Sequence, residues 1–314
     1  MKKIKVMTIF GTRPEAIKMA PLVKELEKQS DRFESIVTVT AQHRQMLDQV
    51  LTIFNIKPDY DLNVMKDRQT LSQITANVLM GLEAVMLEAK PDIVLVHGDT
   101  TTTFAAAISA FYHNIKVGHV EAGLRTWNKH SPFPEEINRQ VTDVISDLYF
   151  APTMQSEGNL LKENHDKNAI FITGNTAIDA LQHTVREDYE NEILNSIPED
   201  HKIILMTMRR ENQGKPMEQV VRAIRQVVDE YPDIEMIYPV HLNPVVQELA
   251  KAHLGDHERI HLIAPLDVID FHNVAARSYM IMSDSGGVQE EAPSMGIPVL
   301  VLRDTTERPE GVEA

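Results

Sequence analysis

The chain has 314 residues, more than one typical domain of about 100–150 residues, so we predict two domains. Its 46 acidic and 31 basic residues give a formal charge of −15, which disfavours nucleic-acid binding, and the lack of cysteine excludes disulfides, thiolate metal sites and cysteine nucleophiles. The first apolar run ends at Phe10, too early for a secretory leader, and no later run could span a membrane. We therefore expect a cytoplasmic protein.

Short β-branched runs alternate with amphipathic helical stretches, a pattern that predicts parallel sheets with crossover helices. In the first half we predict strands over 5–10, 35–40, 92–97, 116–120 and 148–151, separated by helices over 16–28, 43–54, 71–89 and 102–112. A charged stretch over 186–200 is either a linker or a peripheral helix. Further strands are predicted over 202–207, 234–240, 260–263, 279–283 and 298–302. The simplest interpretation is two doubly wound α/β domains that bind a ligand at the carboxyl ends of their strands.

The glycine patterns of common cofactor sites are missing. None of the 13 glycines completes a G-x-G-x-x-G, and Gly214-Lys215 is followed by Pro216 where a P-loop needs Ser or Thr. The sequence therefore supports neither a nicotinamide enzyme nor a P-loop NTPase. His97 and His119 raise the question of a metal, but histidines near strand ends more often pack and hydrogen-bond, so we expect no metal site and no cofactor.

The run Ser-Asp-Ser-Gly-Gly-Val-Gln-Glu-Glu-Ala-Pro over 283–293 is typical of a strand that turns into a phosphate-binding helix. We predict Ser285 as the N-cap, with Gly286 and Gly287 leaving the first helical amides uncovered for a diphosphate. Glu291 follows about a turn and a half later, where its carboxylate could accept hydrogen bonds from a ribose. The run therefore indicates a nucleotide ligand with free ribose hydroxyls.

Polar clusters follow three predicted strands of the first half. Arg13 and Lys18 could reach an anionic group, although an ordinary turn with an exposed arginine fits equally well. Asp99, followed by four threonines, is either only an N-cap or a catalytic acid or base. Glu121 ends a strand, and Glu135 opens a helix whose dipole it could simply complement. Taken together, three carboxylates opposite a phosphate site could raise the pKa of one of them into the range of a general acid.

Five motifs, in this order along the chain, resemble those of the bacterial non-hydrolysing UDP-N-acetylglucosamine 2-epimerases. They are Phe-Gly-Thr-Arg-Pro-Glu-Ala at 10–16, Val-Thr-Ala-Gln-His-Arg at 39–44, His-Gly-Asp-Thr-Thr-Thr-Thr at 97–103, Val-Glu-Ala-Gly-Leu-Arg-Thr at 120–126 and the run at 284–293. The resemblance covers the whole chain. It implies two Rossmann-like domains of the glycosyltransferase-B type, over 1–169 and 170–314, with the active site in the cleft between them.

The resemblance also implies an activity. Members of this family reversibly epimerise C2 of UDP-N-acetylglucosamine to give UDP-N-acetylmannosamine, by anti-elimination of UDP to a 2-acetamidoglucal and re-addition, without a metal or nicotinamide. The product supplies cell-envelope polysaccharide synthesis. Similar proteins are homodimers, and bacterial members bind a second UDP-N-acetylglucosamine at an allosteric site that promotes domain closure.

Site residues are implied motif by motif. The catalytic group would comprise Asp99, Glu121 and Glu135, and which of them takes the C2 proton is left open. UDP would be bound by Arg13, Lys18, Leu266, Phe271, Ser285, Gly286, Gly287, Glu291 and Arg308, with Phe271 packing the uracil. The regulatory site would comprise Gln42, Gln45, Arg68, Glu136, Arg209 and His241. Each of these last six residues, taken alone, equally fits a solvated surface group.

Two departures from the family pattern bear on activity. The family has His-Arg-Arg-Glu-Asn where this chain has Thr207-Met208-Arg209, so either Met208 replaces a histidine or one residue is deleted. The chain ends at Ala314, where members of the family continue, and we expect a truncated second domain. Three alternatives remain: the hydrolysing relative, a glycosyltransferase that would leave Glu121 and Glu135 unexplained, and a nucleotide-sugar binding protein without turnover.

Overall fold

The computed structural model describes residues 2–41, 44–64, 66, 69–208 and 215–302, apart from the side chains at 45, 46, 215 and 216. Contacts within the chain divide it into two units, Met1–Ala180 and Leu181–Ala314. Over the described ranges, no helix is long and apolar enough to cross a membrane.

The first unit is built on a seven-stranded sheet with the strand order β3-β2-β1-β4-β5-β6-β7. Neighbouring strands are all parallel. Its elements are β1 (Ile4–Phe10), α1 (Arg13–Lys28), β2 (Phe33–Val39), α2 (Arg44–Ile53), β3 (Tyr60–Asp61), α3 (Leu71–Ala89), β4 (Ile93–His97), α4 (Thr101–Tyr112), β5 (Lys116–Val120), α5 (Glu135–Ile145), β6 (Leu148–Ala151), α6 (Met154–Lys162), a 3₁₀ turn (Lys167–Ala169) and β7 (Ile170–Ile172). Because β7 joins this sheet, the unit extends past the domain boundary expected at 169 and 170.

The second unit is built on a five-stranded parallel sheet with the order β10-β9-β8-β11-β12. A helix, α7 (Thr176–Thr184), leads into it from the first unit. Its remaining elements are α8 (Glu192–Ser196), β8 (Lys202–Thr207), α9 (Lys215–Glu230), β9 (Ile234–Pro239), α10 (Pro244–Leu254), β10 (Ile260–Ile263), α11 (Val268–Ala276), β11 (Met280–Ser283), α12 (Val288–Ser294) and β12 (Val299–Val301). The predicted doubly wound α/β class is therefore confirmed in both units.

Both faces of each sheet are covered by helices, as a parallel sheet requires. Successive residues of β1 point to opposite faces, so Val6 and Phe10 pack in one apolar cluster while Met7 and Ile9 pack in another. The first cluster includes residues of α1 and α2, and the second includes residues of α3 and α4. The second unit has the same arrangement, with one cluster under α9 and α10 and the other under α11 and α12.

Strand order reverses between β1 and β4 in the first sheet and between β8 and β11 in the second. Loops that leave the carboxyl ends of such strands diverge to opposite faces and leave room for a ligand. The two switch points therefore define where each unit is best suited to bind one. The predicted polar clusters at Arg13 and Asp99, and the run at 283–293, all follow strands at these points.

Candidate functional site

The switch point of the first unit is organised by a carboxylate that the sequence did not single out. Glu15 is 2% exposed, and its Oε2 accepts hydrogen bonds from the backbone amides of Gly11 at 2.9 Å and Thr12 at 2.7 Å. Its Oε1 accepts from the hydroxyls of Thr100 at 2.6 Å and Thr103 at 3.0 Å. One buried carboxylate thus joins the loop after β1 to the loop after β4, which explains why threonines follow Asp99.

Arg13 is the first residue of α1 and is half-buried. It directly follows Thr12, the N-cap, whose side chain accepts from the Glu15 amide at 3.5 Å while Glu15 accepts from the Thr12 amide. This capping box fixes the start of the helix. Arg13 is therefore held at the carboxyl edge of β1, where the sequence placed it.

Lys18 and Glu121 form an ion pair in which the side chains are only 12% and 9% exposed. The same carboxylate oxygen lies 3.3 Å from Nε2 of His97, and Asn175 donates to it at 3.4 Å. Glu121 has a φ of +66°, a left-handed conformation that is uncommon for a residue with a side chain and that sets its direction at the end of β5. In this structure the Lys18 ammonium therefore contacts a carboxylate predicted to be catalytic.

Asp99 is positioned by two residues of α5. Arg139 donates to Oδ2 of Asp99 at 2.7 Å, and Asn138 donates to the Asp99 carbonyl at 2.9 Å. The interpretation of Asp99 as only an N-cap is wrong, because Thr100 is the N-cap of α4 and accepts from the Thr103 amide. The Asp99 carboxylate remains 27% exposed and so stays accessible from outside the unit.

Glu135 is the first residue of α5. It follows Pro134, which occupies the N-cap position without a side-chain hydrogen bond to the helix. One turn later in α5, Asn138 and Arg139 contact Asp99, so Glu135 starts the same helix that fixes that carboxylate. Glu121 follows β5, which pairs with β4 so that His97 lies opposite Val120. The structure therefore brings the ends of β4 and β5 and the start of α5 together at one edge of the sheet.

A buried ionic cluster supports the loops after β4 and β5. The ring of His119 has Nδ1 at 2.6 Å from Asp143 and Nε2 at 2.7 Å from the carbonyl of Gly98, the residue before Asp99. Arg125 donates to Asp143 at 2.6 Å and also pairs with Glu163. Burial favours a raised pKa for Asp143, but His119 and Arg125 outweigh it and hold that pKa below its ordinary value. His119 is thus a hydrogen-bonded packing residue.

Glu136 is fully buried, although the resemblance placed it at a regulatory site. Its carboxylate accepts from the amides of Thr126 at 3.0 Å and Trp127 at 2.9 Å, and from Arg139 and Gln140 at 2.9 Å each. Burial alone would raise the pKa of Glu136, but these hydrogen bonds and the Arg139 charge lower it. In the described structure its hydrogen-bond partners therefore belong to the loop after β5 and to its own helix.

Of the other predicted regulatory residues, the structure describes His241 and the backbone of Gln45. His241 is exposed just after β9, and its Nδ1 accepts from the Asn243 amide at 3.0 Å. Gln42, Arg68 and Arg209 lie outside the described residues, as do the Gln45 side chain and Arg308 of the predicted phosphate contacts.

At the switch point of the second unit, Thr207 and Ser283 end adjacent strands and their hydroxyls lie 2.6 Å apart. Ser283 Oγ also accepts from the Ser285 amide at 3.0 Å. The prediction of Ser285 as N-cap is wrong, because α12 begins at Val288 with Gly287 as its cap and without a side-chain cap. Ser285 and Gly286 therefore belong to the turn between β11 and the helix. The hydrogen bond from the Ser285 amide to the Ser283 hydroxyl fixes that turn.

Glu291 lies over this turn. Its Oε1 approaches Gly287 so closely that a Cβ on Gly287 would lie 3.4 Å away, and its Oε2 lies 3.6 Å from Nε2 of His272. Leu266 precedes α11 and Phe271 lies within it, and both pack against the apolar cluster under α11 and α12. Those of the predicted phosphate, ribose and base residues that the structure describes in this unit thus follow β10 or β11 at one edge of the second sheet.

Comparison with known proteins gives concordant results. A sequence profile of the family described as UDP-N-acetylglucosamine 2-epimerase matches residues 24–314. A UDP-N-acetylglucosamine 2-epimerase of Bacillus subtilis is 67% identical over 314 residues, covering 100% of this chain and 82% of the relative. A Listeria monocytogenes structure under the same enzyme name is 61% identical with a TM-score of 0.94, covering 100% of this chain and 82% of that one.

A Neisseria meningitidis UDP-GlcNAc 2-epimerase, solved with UDP-GlcNAc bound, is 50% identical with a TM-score of 0.90, covering 99% of this chain and 86% of that one. A glycotransferase of kitacinnamycin reaches a TM-score of 0.64 at 10% identity, which shows a likeness of fold alone. Together with the two parallel sheets, these likenesses confirm the predicted fold of two Rossmann-like domains of the glycosyltransferase-B type.

Proposed function

This chain belongs to the family of UDP-N-acetylglucosamine 2-epimerases, which are isomerases, and we propose that it interconverts UDP-N-acetylglucosamine and UDP-N-acetylmannosamine by eliminating and re-adding UDP. The observation that carries the proposal is the grouping of Asp99, Glu121 and Glu135 at one edge of the first sheet. The substrate is supported by the Neisseria relative, which was solved with UDP-GlcNAc bound.

The chemistry requires several acidic groups. C2 of the sugar is not next to a carbonyl, so its proton is not acidic in the ground state. Departure of UDP from C1 gives the ring oxocarbenium character, which acidifies the C2 proton and leads by anti-elimination to 2-acetamidoglucal. A proton delivered to the opposite face and re-addition of UDP then give the epimer. Carboxylates can accept and return these protons and stabilise the positive ring.

The contacts of Glu121 and Asp99 and the position of Glu135 suggest a division of roles. Glu121 is held in an ion pair by Lys18, so we assign Glu121 the role of accepting the C2 proton. Asp99 is paired with Arg139 and partly exposed, which suits stabilisation of the cationic ring. Glu135, at the first turn of α5, would supply the proton to the opposite face. Arg13, at the start of α1, would support the departing diphosphate.

UDP would be held by the second unit. The amides of Ser285, Gly286 and Gly287 would bind the diphosphate, which Arg308 would also contact. Glu291 would accept hydrogen bonds from the ribose, and Phe271, with Leu266 near it, would pack the uracil. The support for this assignment is that the glycine turn follows β11, Glu291 lies in α12 just after it, and Leu266 and Phe271 lie just before and within α11.

The proposal also covers regulation, assembly and the use of the product. A second UDP-N-acetylglucosamine would bind a regulatory site formed by Gln42, Gln45, Arg68, Glu136, Arg209 and His241 and act as an allosteric activator. The protein would work as a homodimer, and its product would supply cell-envelope polysaccharides. Cytoplasmic location stays a prediction from the sequence.

A second candidate function is nucleotide-sugar binding without turnover. It is favoured by the sequence at Met208, where either this methionine replaces the histidine of the family pattern or that histidine is deleted. Met208 is 7% exposed and packs in the apolar cluster that contains Tyr238 and Met217. A thioether cannot carry a proton or donate a charge-assisted hydrogen bond, so this position contributes packing instead of chemistry.

NMR of the full chain with UDP-N-acetylglucosamine separates these functions. We expect the anomeric signal of UDP-N-acetylmannosamine to appear and reach a constant ratio. Calorimetric binding of UDP-N-acetylglucosamine without that signal would select the binding protein, and Met208→His would then be the variant in which turnover should appear. Accumulation of free UDP and free N-acetylmannosamine would instead identify the hydrolysing reaction.

A further inference from the structure

A hydroxyl, an imidazole and a carboxylate lie in series inside the second unit. Thr184 Oγ1 is 2.7 Å from Nδ1 of His272, and Nε2 of the same ring is 3.6 Å from Oε2 of Glu291. Thr184 is fully buried, the His272 side chain is 2% exposed and that of Glu291 is 15% exposed. The series therefore runs from the interior of the unit to a carboxylate that reaches its surface.

The surroundings of the His272 ring favour one tautomer. A carboxylate facing Nε2 favours an N–H on that nitrogen, and Nδ1 is then satisfied by the Thr184 hydroxyl. The positive end of an Nε2–H dipole would attract the carboxylate, although the 3.6 Å separation of the two atoms is too long for a good hydrogen bond. His272 therefore orients Oε2 of Glu291 while leaving its capacity to accept a hydrogen bond from a ligand.

Thr184 is itself held in place by the neighbour of His272 on α11. Asn273 donates to the Thr184 carbonyl at 2.8 Å and accepts from the Arg186 amide at 2.9 Å. Asn273 is fully buried. The hydroxyl that sets the His272 ring is thus fastened to the same helix as the ring, and the series is preorganised before any ligand binds.

The helix that carries His272 also carries Phe271, with their ring centroids 6.0 Å apart. If Phe271 packs the base, α11 fixes the contact with the base directly and the contact with the ribose through His272. The 2′ and 3′ hydroxyls of a ribose are adjacent, so a single oriented carboxylate can accept a hydrogen bond from each. A deoxyribose would leave one buried acceptor unsatisfied, which is costly.

We propose that His272 is a positioning residue that, supported by Thr184, orients Glu291 so that the second unit selects ribonucleotides over 2′-deoxyribonucleotides. The inference rests on the proposed function, because it takes Glu291 as the ribose ligand. It adds a residue that does not touch the nucleotide and gives it a measurable role in specificity.

Calorimetric titration of the full chain with UDP and with 2′-deoxy-UDP tests this. We expect the wild type to bind UDP at least about 10-fold more tightly than 2′-deoxy-UDP, as a hydrogen bond to a charged group allows. In His272→Leu the preference should fall at least about 5-fold, through weaker binding of UDP, with 2′-deoxy-UDP changed by less than about 2-fold. Thr184→Val should shift the preference in the same direction.

Two variants serve as controls, and circular dichroism checks that each is folded. His272→Gln keeps an N–H donor near Glu291 and should recover part of the preference lost in His272→Leu, while His253→Gln on α10 should leave it unchanged. An unchanged preference in both His272→Leu and Thr184→Val would overturn the inference, as would equal weakening of both nucleotides. If His272→Leu does not fold, Thr184→Val and His272→Gln decide. A wild type that binds neither nucleotide would overturn the proposed function together with the inference.

Discussion

The ammonium of Lys18, on the second turn of α1, is paired with the carboxylate of Glu121 at the end of β5. The pair joins motifs 103 residues apart in the chain and leaves each side chain about nine-tenths buried. Such a pair holds a carboxylate in one direction and resists replacement of either partner. It is the contact on which the assignment of Glu121 as the proton acceptor depends.

Replacing Glu121 by Gln removes that acceptor while keeping the size of the side chain. We expect kcat for epimerisation to fall by about 10²- to 10⁴-fold, the usual contribution of a positioned acid or base. The calorimetric affinity for UDP should change little, because the nucleotide is held elsewhere. An NMR turnover assay measures the loss, with Glu88→Gln on α3 as a control that should retain activity. A Glu121→Gln enzyme with wild-type kcat would remove Glu121 from the mechanism.

Glu136 gives a pH-dependent prediction for stability. Its folded-state pKa is below the ordinary value, so at low pH the unfolded chain binds the extra proton more readily than the folded one. Its contribution is therefore complete above the unfolded pKa of about 4.3 and is lost as pH falls below that value. We expect Glu136→Gln to lower the free energy of unfolding by about 2–3 kcal/mol at neutral pH.

The difference in the free energy of unfolding between wild type and Glu136→Gln should narrow as the pH is lowered from neutral to below the ordinary pKa of glutamate. Urea unfolding at a series of pH values measures it, provided both proteins remain folded without urea. Exposed Glu27 on α1 offers a matched control, since Glu27→Gln should change the free energy of unfolding by less than about 0.5 kcal/mol. A gap that stays constant over the whole series would mean that folding leaves the pKa of Glu136 unchanged.

Gly123, in the loop after β5, is held where a side chain cannot fit. Its φ is +84°, and a Cβ would lie 2.3 Å from the carbonyl oxygen of Ser156. Gly123→Ala should therefore lower the free energy of unfolding by at least about 2 kcal/mol. Gly158, within α6, has open space around it, and Gly158→Ala should raise stability by about 0.5–1 kcal/mol. Equal effects in the two variants would contradict this account of the loop.

Local patterns in the sequence were enough to predict most of the fold. Helix α3 and strands β5, β6, β8 and β10 have the predicted limits, because each is a continuous run with clear ends. The missed strands are β3 and β7. The first has two residues and the second three, so neither reaches the run of about four residues by which a strand is predicted. The charged stretch over 186–200 contains α8 as a peripheral helix.

The strands and helices that carry the candidate site were predictable, but the contacts within it were not. Chemically distinctive residues after strands identified the edge of each sheet, since parallel strands place their carboxyl ends together. Partners such as Glu15 with Thr100, or His119 with Gly98, are 85 and 21 residues apart and leave no local pattern. Glu15 was hidden within a capping-box sequence, Thr12 to Glu15, whose ordinary function it also performs. Only the fold shows that its second oxygen joins another loop.

The central claim is that the C2 proton is lost to the enzyme and replaced during epimerisation. Turnover of UDP-N-acetylglucosamine in D₂O, followed by NMR of the isolated UDP-N-acetylmannosamine, measures this directly. We predict deuterium at C2 of the product, because the proton accepted by one carboxylate is replaced from solvent before UDP returns. Product formed with its original C2 hydrogen would contradict elimination and re-addition.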